Sequence, residues 1–192
     1  EEVFDDAMIA LRSMKLIAKS ERRHRRPGHG EYDALIRYFQ EQQSHPRTIL
    51  PMGELMEFGV WSGRLISEIC QLRWADVDFD RHTCKLPGRD EDFPLLEKAW
   101  EVVEARSKVA GVDKTGRIFP HNSKSVSTAH AKAKRDLRET VPSLEGLRLH
   151  DYRFEAVNRL LEKGHPPHIV ASATGVHINK VNEIFKGLEK AD

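Results

Sequence analysis

Apolar residues recur at helical spacing along most of this 192-residue chain, and the pattern changes character chiefly between Trp74 and Leu95. Side chains three and four apart share one helical face, so each stripe predicts a helix that buries that face against others. Val3, Ala7, Leu11 and Met14 predict a helix over 3–18, and Tyr32, Leu35, Ile36 and Phe39 one over 31–43, ended by His45-Pro46. Further helices are predicted over 51–61, 64–74, 95–110, 124–140, 151–163, 168–174 and 179–188. Ser62-Gly63, Lys163-Gly164, Pro166-Pro167 and Gly175 punctuate them. After Trp74 comes a turn-rich exit, Asp76 to Asp80. Two short β candidates follow, Thr83 to Leu86 and Phe93 to Leu95, around Pro87-Gly88-Arg89-Asp90. Ile118-Phe119-Pro120 reads as one more extended piece. The expected fold is mainly α with a small antiparallel β-hairpin or sheet. Two segments are expected: 1–30, a helix and a basic linker broken at Pro27-Gly28, and 31–192, the main body.

A hydrophobic content of 39% supports a buried core and argues against a disordered chain. The net charge of +1 does not by itself call for nucleic acid, but the charge is unevenly placed. From Lys19 to Arg26 five basic residues, Arg22, Arg23, Arg25 and Arg26 among them, face Glu21 alone. From Lys124 to Arg138, Lys124, Lys132, Lys134, Arg135 and Arg138 face Asp136 alone. Such faces bind phosphate even when the total charge balances, or they are simply solvated helix faces. Cys70 and Cys84 stand among apolar neighbours in no metal-ligand spacing, so they read as core residues of a cytoplasmic protein. No apolar run approaches the ~20 residues that span a bilayer. The chain begins Glu1-Glu2 without Met, so a trimmed or excised piece is expected, with no signal peptide.

The chemistry concentrates at His150-Asp151-Tyr152-Arg153, the head of the helix predicted over 151–163. His150 and Arg153, three apart, share a face. From there both point at one oxyanion, Arg153 as a two-pronged phosphate donor and His150 as a donor or proton shuttle. The other reading is a helix-start histidine beside a surface arginine.

With its flanks, that box resembles the phage-integrase (tyrosine recombinase) family over about residues 30–190. The stretch Ser62-Gly63-Arg64-Leu65-Ile66-Ser67-Glu68, followed by Leu72, Trp74, Asp76 and Asp78, is similar to the family's first box. The family's first catalytic arginine belongs three residues before the glutamate, and Leu65 stands there. Arg64 is one residue early, about 100° round a helix, so it is expected to point away from the phosphate unless the helix start is irregular. Leu65 then falls in step with Ile69 and Leu72 as plain core, and Glu68 either supports an active-site arginine or is a surface acid. The family's lysine between two strands has no clean match, and Lys85 is a weak candidate. The family's second histidine is replaced by Phe154. Its Gly-His pair reads here Gly175-Val176, with His177 displaced by one. Counting on from Gly175, the family's nucleophilic tyrosine falls on Phe185, which has no hydroxyl and joins Val181, Ile184 and Leu188 in a packing stripe.

The resemblance implies the tyrosine recombinase (DNA breaking-rejoining) catalytic-domain fold and double-stranded DNA as partner, with no cofactor, metal or membrane. It implies too that the last helix docks on its own body or on a neighbouring copy. It further implies transfer of a DNA phosphate to a tyrosine hydroxyl, with cations around the phosphorane. Phe185 alone would suit a laboratory Tyr→Phe change, but Leu65, Phe154 and Val176 would not be chosen for that purpose. The leading expectation is therefore a DNA-binding, catalytically inactive relative acting in recombination or regulation of a bacterial or phage mobile element. The alternatives are an integrase catalytic domain inactivated by mutation, and a protein–protein scaffold without DNA binding. His150, Arg153 and the Phe185 and Leu65 positions carry the reading, with Lys85 and His177 as weak members. Arg64, Lys124, Lys132, Lys134, Arg135, Arg22, Arg23, Arg25 and Arg26 are the expected DNA contacts.

Overall fold

The computed structural model describes residues 25–43, 51–109 and 114–190. The helix expected over 3–18, the Pro46 break, and Arg22 and Arg23 lie outside the described residues. Along the chain run α1 (His29–Gln43), α2 (Met52–Ser62) and a single turn α3 (Ile66–Ile69). Then come β1 (Val77–Asp78), β2 (Thr83–Lys85), β3 (Asp92–Pro94) and α4 (Lys98–Ser107). The chain ends with α5 (Ser123–Asp136), α6 (Asp151–Glu162), α7 (Pro167–Thr174) and α8 (Ile178–Leu188).

The expected mainly helical fold with a small antiparallel sheet is what forms. The apolar helix α2, buried at Leu55, Met56, Phe58 and Val60, packs against α1, α4 and α6 at the centre. Around it one cluster gathers Leu35, Phe39, Ile69, Leu72, Trp74, Phe93, Val103, Phe119 and Tyr152. A second cluster of Val157, Leu160, Leu161, Val170, Ala173, Val176 and Val181 joins α6, α7 and α8. The last helix therefore docks on its own body.

Three local expectations change. The helix expected over 64–74 is cut to the turn Ile66–Ile69 and a 3₁₀ turn at Trp74–Asp76. Gly63 ends α2 with φ 62, and Leu65 is extended with ψ 144. Asp76 to Asp80, read as an exit turn, contributes β1. The sheet therefore has three strands, with Val77 opposite Cys84 and Cys84 opposite Phe93. Ile118-Phe119 forms no strand; its neighbour Arg117 makes an isolated bridge to Arg73. Elsewhere the punctuation acts as expected: Pro167 opens α7, and Gly175 caps it with φ 65.

Candidate functional site

The head of α6, the end of α2 and the α7–α8 junction meet at Gly175. Arg153 reaches both sides of that meeting point. Its Nη1 donates to the Gly63 carbonyl at 3.0 Å and its Nη2 to the Gly175 carbonyl at 2.6 Å. Burial lowers the Arg153 pKa, with Arg89 adding to the effect and Glu68 opposing it.

Arg64 turns into the same place. The left-handed Gly63 and the extended Leu65 break the helical register, so the step of 100° that would send Arg64 away does not apply. Its side chain is buried, with Nε donating to the Ala173 carbonyl at 2.8 Å and Nη2 to the Ser172 carbonyl at 2.6 Å. The guanidinium lies over the Phe93 ring, 4.1 Å from its centroid. Burial, with repulsion from Arg153 and Arg89, brings its pKa down to about 10 against the pull of Glu68. A Cβ placed on Gly175 would stand 2.7 Å from Arg64 Nη1 and 3.5 Å from Arg153 Nη2, so a side chain there would displace the Arg64 guanidinium, and the φ of 65 at this position itself favours glycine.

Leu65, expected as core, is 39% exposed. Its amide donates to Glu68 Oε2 at 3.0 Å. Glu68 is no free surface acid: it takes Arg89 at 3.3 Å and lies 4.0 Å from Arg153. Arg64, Arg89, Phe93, Ser172 and Gly175, together with the acids Glu91 and Asp92, line a cleft of about 140 Å³. Asp92 is paired with Arg81 at 3.0 Å.

The other sequence candidates are spread more widely. His150 caps α6 as an exposed ring set edge-on to Phe154. His177 is exposed at the start of α8, where its Nδ1 accepts from the Asn179 amide at 3.2 Å. Val176 is buried in the second cluster. Phe185 is half-buried against that cluster. Lys85 sits half-buried in β2 opposite Asp92. Lys124 and Arg135 are exposed at the two ends of α5. Lys132 is held by Asp136 at 2.9 Å and the Tyr38 hydroxyl at 3.1 Å. Lys134 turns inward to donate to the carbonyls of Glu145 and Leu147, and its burial lowers its pKa. Arg25 pairs with Glu31 and the Ser143 carbonyl, while Arg26 pairs with Glu155 and Glu162.

Sequence reasoning missed the Phe93 ring beneath Arg64, the α7 carbonyls that receive it, and the Arg89–Glu68 link. Only the Ser-Gly-Arg order hinted at the first two, because a glycine cap before the arginine can reset the register. Among the described residues no group of three or more His, Cys, Asp or Glu side chains is placed to hold a metal ion. Nor is any described helix long and apolar enough to cross a membrane.

A model of the phage integrase family matches residues 29–182. A shufflon-specific DNA recombinase of Escherichia coli is 29% identical over 146 residues, covering 74% of this chain and 34% of that protein. A putative integrase/recombinase of Haemophilus influenzae is 31% identical over 110 residues, covering 55% of this chain and again 34% of the relative. The chain thus spans about a third of the length of these curated relatives. Among solved structures, the Tn1549 transposon integrase in complex with a circular intermediate DNA superposes with a TM-score of 0.63 at 12% identity. That match covers 87% of this chain and 63% of the other. A lambda integrase dimer bound to a core site gives 0.59 at 18% identity, covering 88% and 49%. At these identities the likeness concerns the fold, the tyrosine recombinase catalytic domain.

Proposed function

The chain belongs to the phage integrase family, and on that premise we propose that it binds duplex DNA through phosphates without cutting it. One observation carries the inactive half of this reading. Phe185, at the family's nucleophile position, has no hydroxyl and is half-buried in the apolar cluster under α8. The chain's three tyrosines offer no replacement. Tyr152 is buried with its hydroxyl 3.1 Å from His130 Nε2, Tyr38 donates to Asp136 at 2.6 Å, and the Tyr32 hydroxyl is buried. The binding half is supported by the guanidiniums of Arg64 and Arg153 beside Gly175, with Lys124 and Arg135 exposed on α5.

The reading places the chain in recombination or in regulation of a mobile element, with duplex DNA as partner. Incubation with labelled duplex DNA followed by denaturing electrophoresis should show no protein-linked strand. Gel-shift titration at several salt concentrations should show binding that weakens steeply as salt rises, with a slope near −0.9 per neutralised phosphate. A covalent adduct overturns the inactive half; no affinity at low salt overturns the binding half. The protein–protein scaffold is the second reading. It is favoured by one observation: Arg25, Arg26, Lys132 and Lys134 spend their charge on partners within the fold.

A further inference from the structure

The turn between β1 and β2 carries aromatic side chains that the cleft does not use. Phe79, in that turn, is 43% exposed. Its ring meets Trp100 of α4 edge-on, with centroids 5.6 Å apart. His82, at the end of the same turn, stacks on Trp100 at 3.8 Å with 14° between the planes. His82 is exposed and Trp100 half-buried, and none of the three lines the cleft at Gly175. We propose that this aromatic face is a docking surface for a basic segment of a partner protein. An arginine or lysine of that segment lies against the rings of Phe79 and Trp100, and the acids around them meet its charge.

The face is held in shape before any partner arrives. Asp78 Oδ1 accepts from the amides of Asp80 and Arg81 at 3.0 and 2.9 Å, and its Oδ2 takes the Arg81 guanidinium at 2.6 Å. His82 keeps a left-handed φ of 52, which is uncommon for a residue with a Cβ. Its carbonyl accepts from the Leu95 amide at 2.8 Å, and in that conformation its ring covers Trp100. Rings already fixed lose little freedom on binding.

Charge selects the partner. Near the turn, Asp76, Asp78 and Asp80 face Arg81 alone; along α4 and its start, Glu97, Glu101 and Glu104 face Lys98 alone. Arg81 is taken up by Asp78 and Asp92. Asp80, next to Phe79, is exposed and forms no ion pair with another described residue. Glu104 stands one helical turn beyond Trp100 on the same face. A ring face attracts a cation within about 6 Å of its centroid, and flanking carboxylates add to that attraction. The same acids repel phosphate, so the face suits a basic protein segment rather than nucleic acid. The inference stands whether or not the chain binds DNA.

The test follows the indole N–H signals of the full chain by NMR at about 0.15 M salt, where distant exposed charges are screened. The probes are a hexa-arginine peptide, a hexa-glutamate peptide and a short DNA duplex. Trp61 and Trp74 are buried and serve as internal references. Hexa-arginine should move the Trp100 signal saturably and leave the other two in place. Phe79→Leu keeps an apolar side chain but loses the ring, and should weaken the peptide roughly two- to five-fold. Asp80→Asn should weaken it as well. An unmoved Trp100 signal overturns the proposal. So does an unchanged affinity in Phe79→Leu, since charge alone would then hold the peptide. A Trp100 response to the duplex or to hexa-glutamate overturns the choice of a cationic partner.

Discussion

Glu155→Ala should cost about 3 kcal/mol of stability, because it removes the carboxylate around which the middle of α6 is anchored. The Glu155 side chain is only 4% exposed. Its Oε2 accepts from Arg26 Nε and its Oε1 from Arg159 Nε, both at 2.7 Å. Arg159 is 15% exposed, with its guanidinium over the rings of Tyr32 at 4.8 Å and Trp61 at 5.2 Å. Breaking a buried pair by removing one partner costs about 3–5 kcal/mol, since it strands the other charge. Arg26 is 40% exposed, so water screens its share and only the Arg159 half counts in full. That places the effect near the low end of the range. For a domain of this size about 3 kcal/mol corresponds to a fall in Tm of roughly 6–12 °C. Thermal melts and urea titrations at pH 7 measure it. Glu162→Ala is the internal comparison: it also removes an Arg26 partner, but Glu162 is 42% exposed, and the expected loss is below about 1 kcal/mol. Equal losses from the two substitutions, or a loss under about 1 kcal/mol at Glu155, would refute this assignment of the burial energy.

Phe185→Tyr alone should produce no covalent DNA adduct. It returns a hydroxyl, but Phe154 and Val176 still leave apolar groups at two positions where the family resemblance implies histidines; a protein-linked strand on a denaturing gel would contradict this. The basic residues of α5 should separate into two classes. Removing the exposed Lys124 and Arg135 together should flatten the salt slope by up to about 0.9 per lost phosphate contact while leaving the melting curve unchanged. Lys134→Ala should instead lower Tm, because its ammonium donates to the carbonyls of Glu145 and Leu147. His130, buried against Tyr152, is held neutral with its pKa brought down from 6.5 to about 4, first by burial and then by Lys134. The unfolded chain therefore takes up the proton first, so its contribution is intact above pH 6.5 and is lost as pH falls towards 4. Between pH 7 and pH 5 this amounts to about 2 kcal/mol. Urea titrations of the chain and of His130→Gln should differ in pH dependence by that amount, and parallel curves would refute it.

Much of the fold was legible because helices announce themselves over many residues. The stripes of α1, α2, α6 and α8 were each long enough for the apolar period to set their existence, and Pro167 and Gly175 fixed where α7 begins and ends. The short elements were not legible. Val77–Asp78 is a strand only because Cys84 and Thr83 lie opposite it, and nothing within two residues can signal a partner several residues on. The helix expected through Leu65 failed for a related reason. The apolar period of Leu65, Ile69 and Leu72 is real, but Gly63 in the left-handed region and Leu65 in an extended one reset the phase before α3 begins.

That reset decides what the site can be. Read as a continuous helix, the Arg64-Leu65 order puts leucine towards the phosphate and arginine away from it, and the site loses a donor. Read with the break, the same order puts leucine in solvent and arginine in the cleft. The sequence holds both readings, because which of two neighbouring side chains faces the site depends on the backbone conformation at Gly63 and Leu65. What favours the second is supplied from elsewhere in the chain: the Phe93 ring, the free carbonyls at the end of α7, and the missing Cβ of Gly175. Each is distant in sequence and none is informative alone. His150 illustrates the opposite case. It matches the family pattern position by position, yet it stands exposed against Phe154, while Arg153 in the same box is drawn in by two carbonyls. The motif and the fold thus select differently: the box brings His150 and Arg153 to the head of α6, while the backbone around Gly63 and Gly175 turns Arg64 into the cleft and holds Arg153 against two carbonyls.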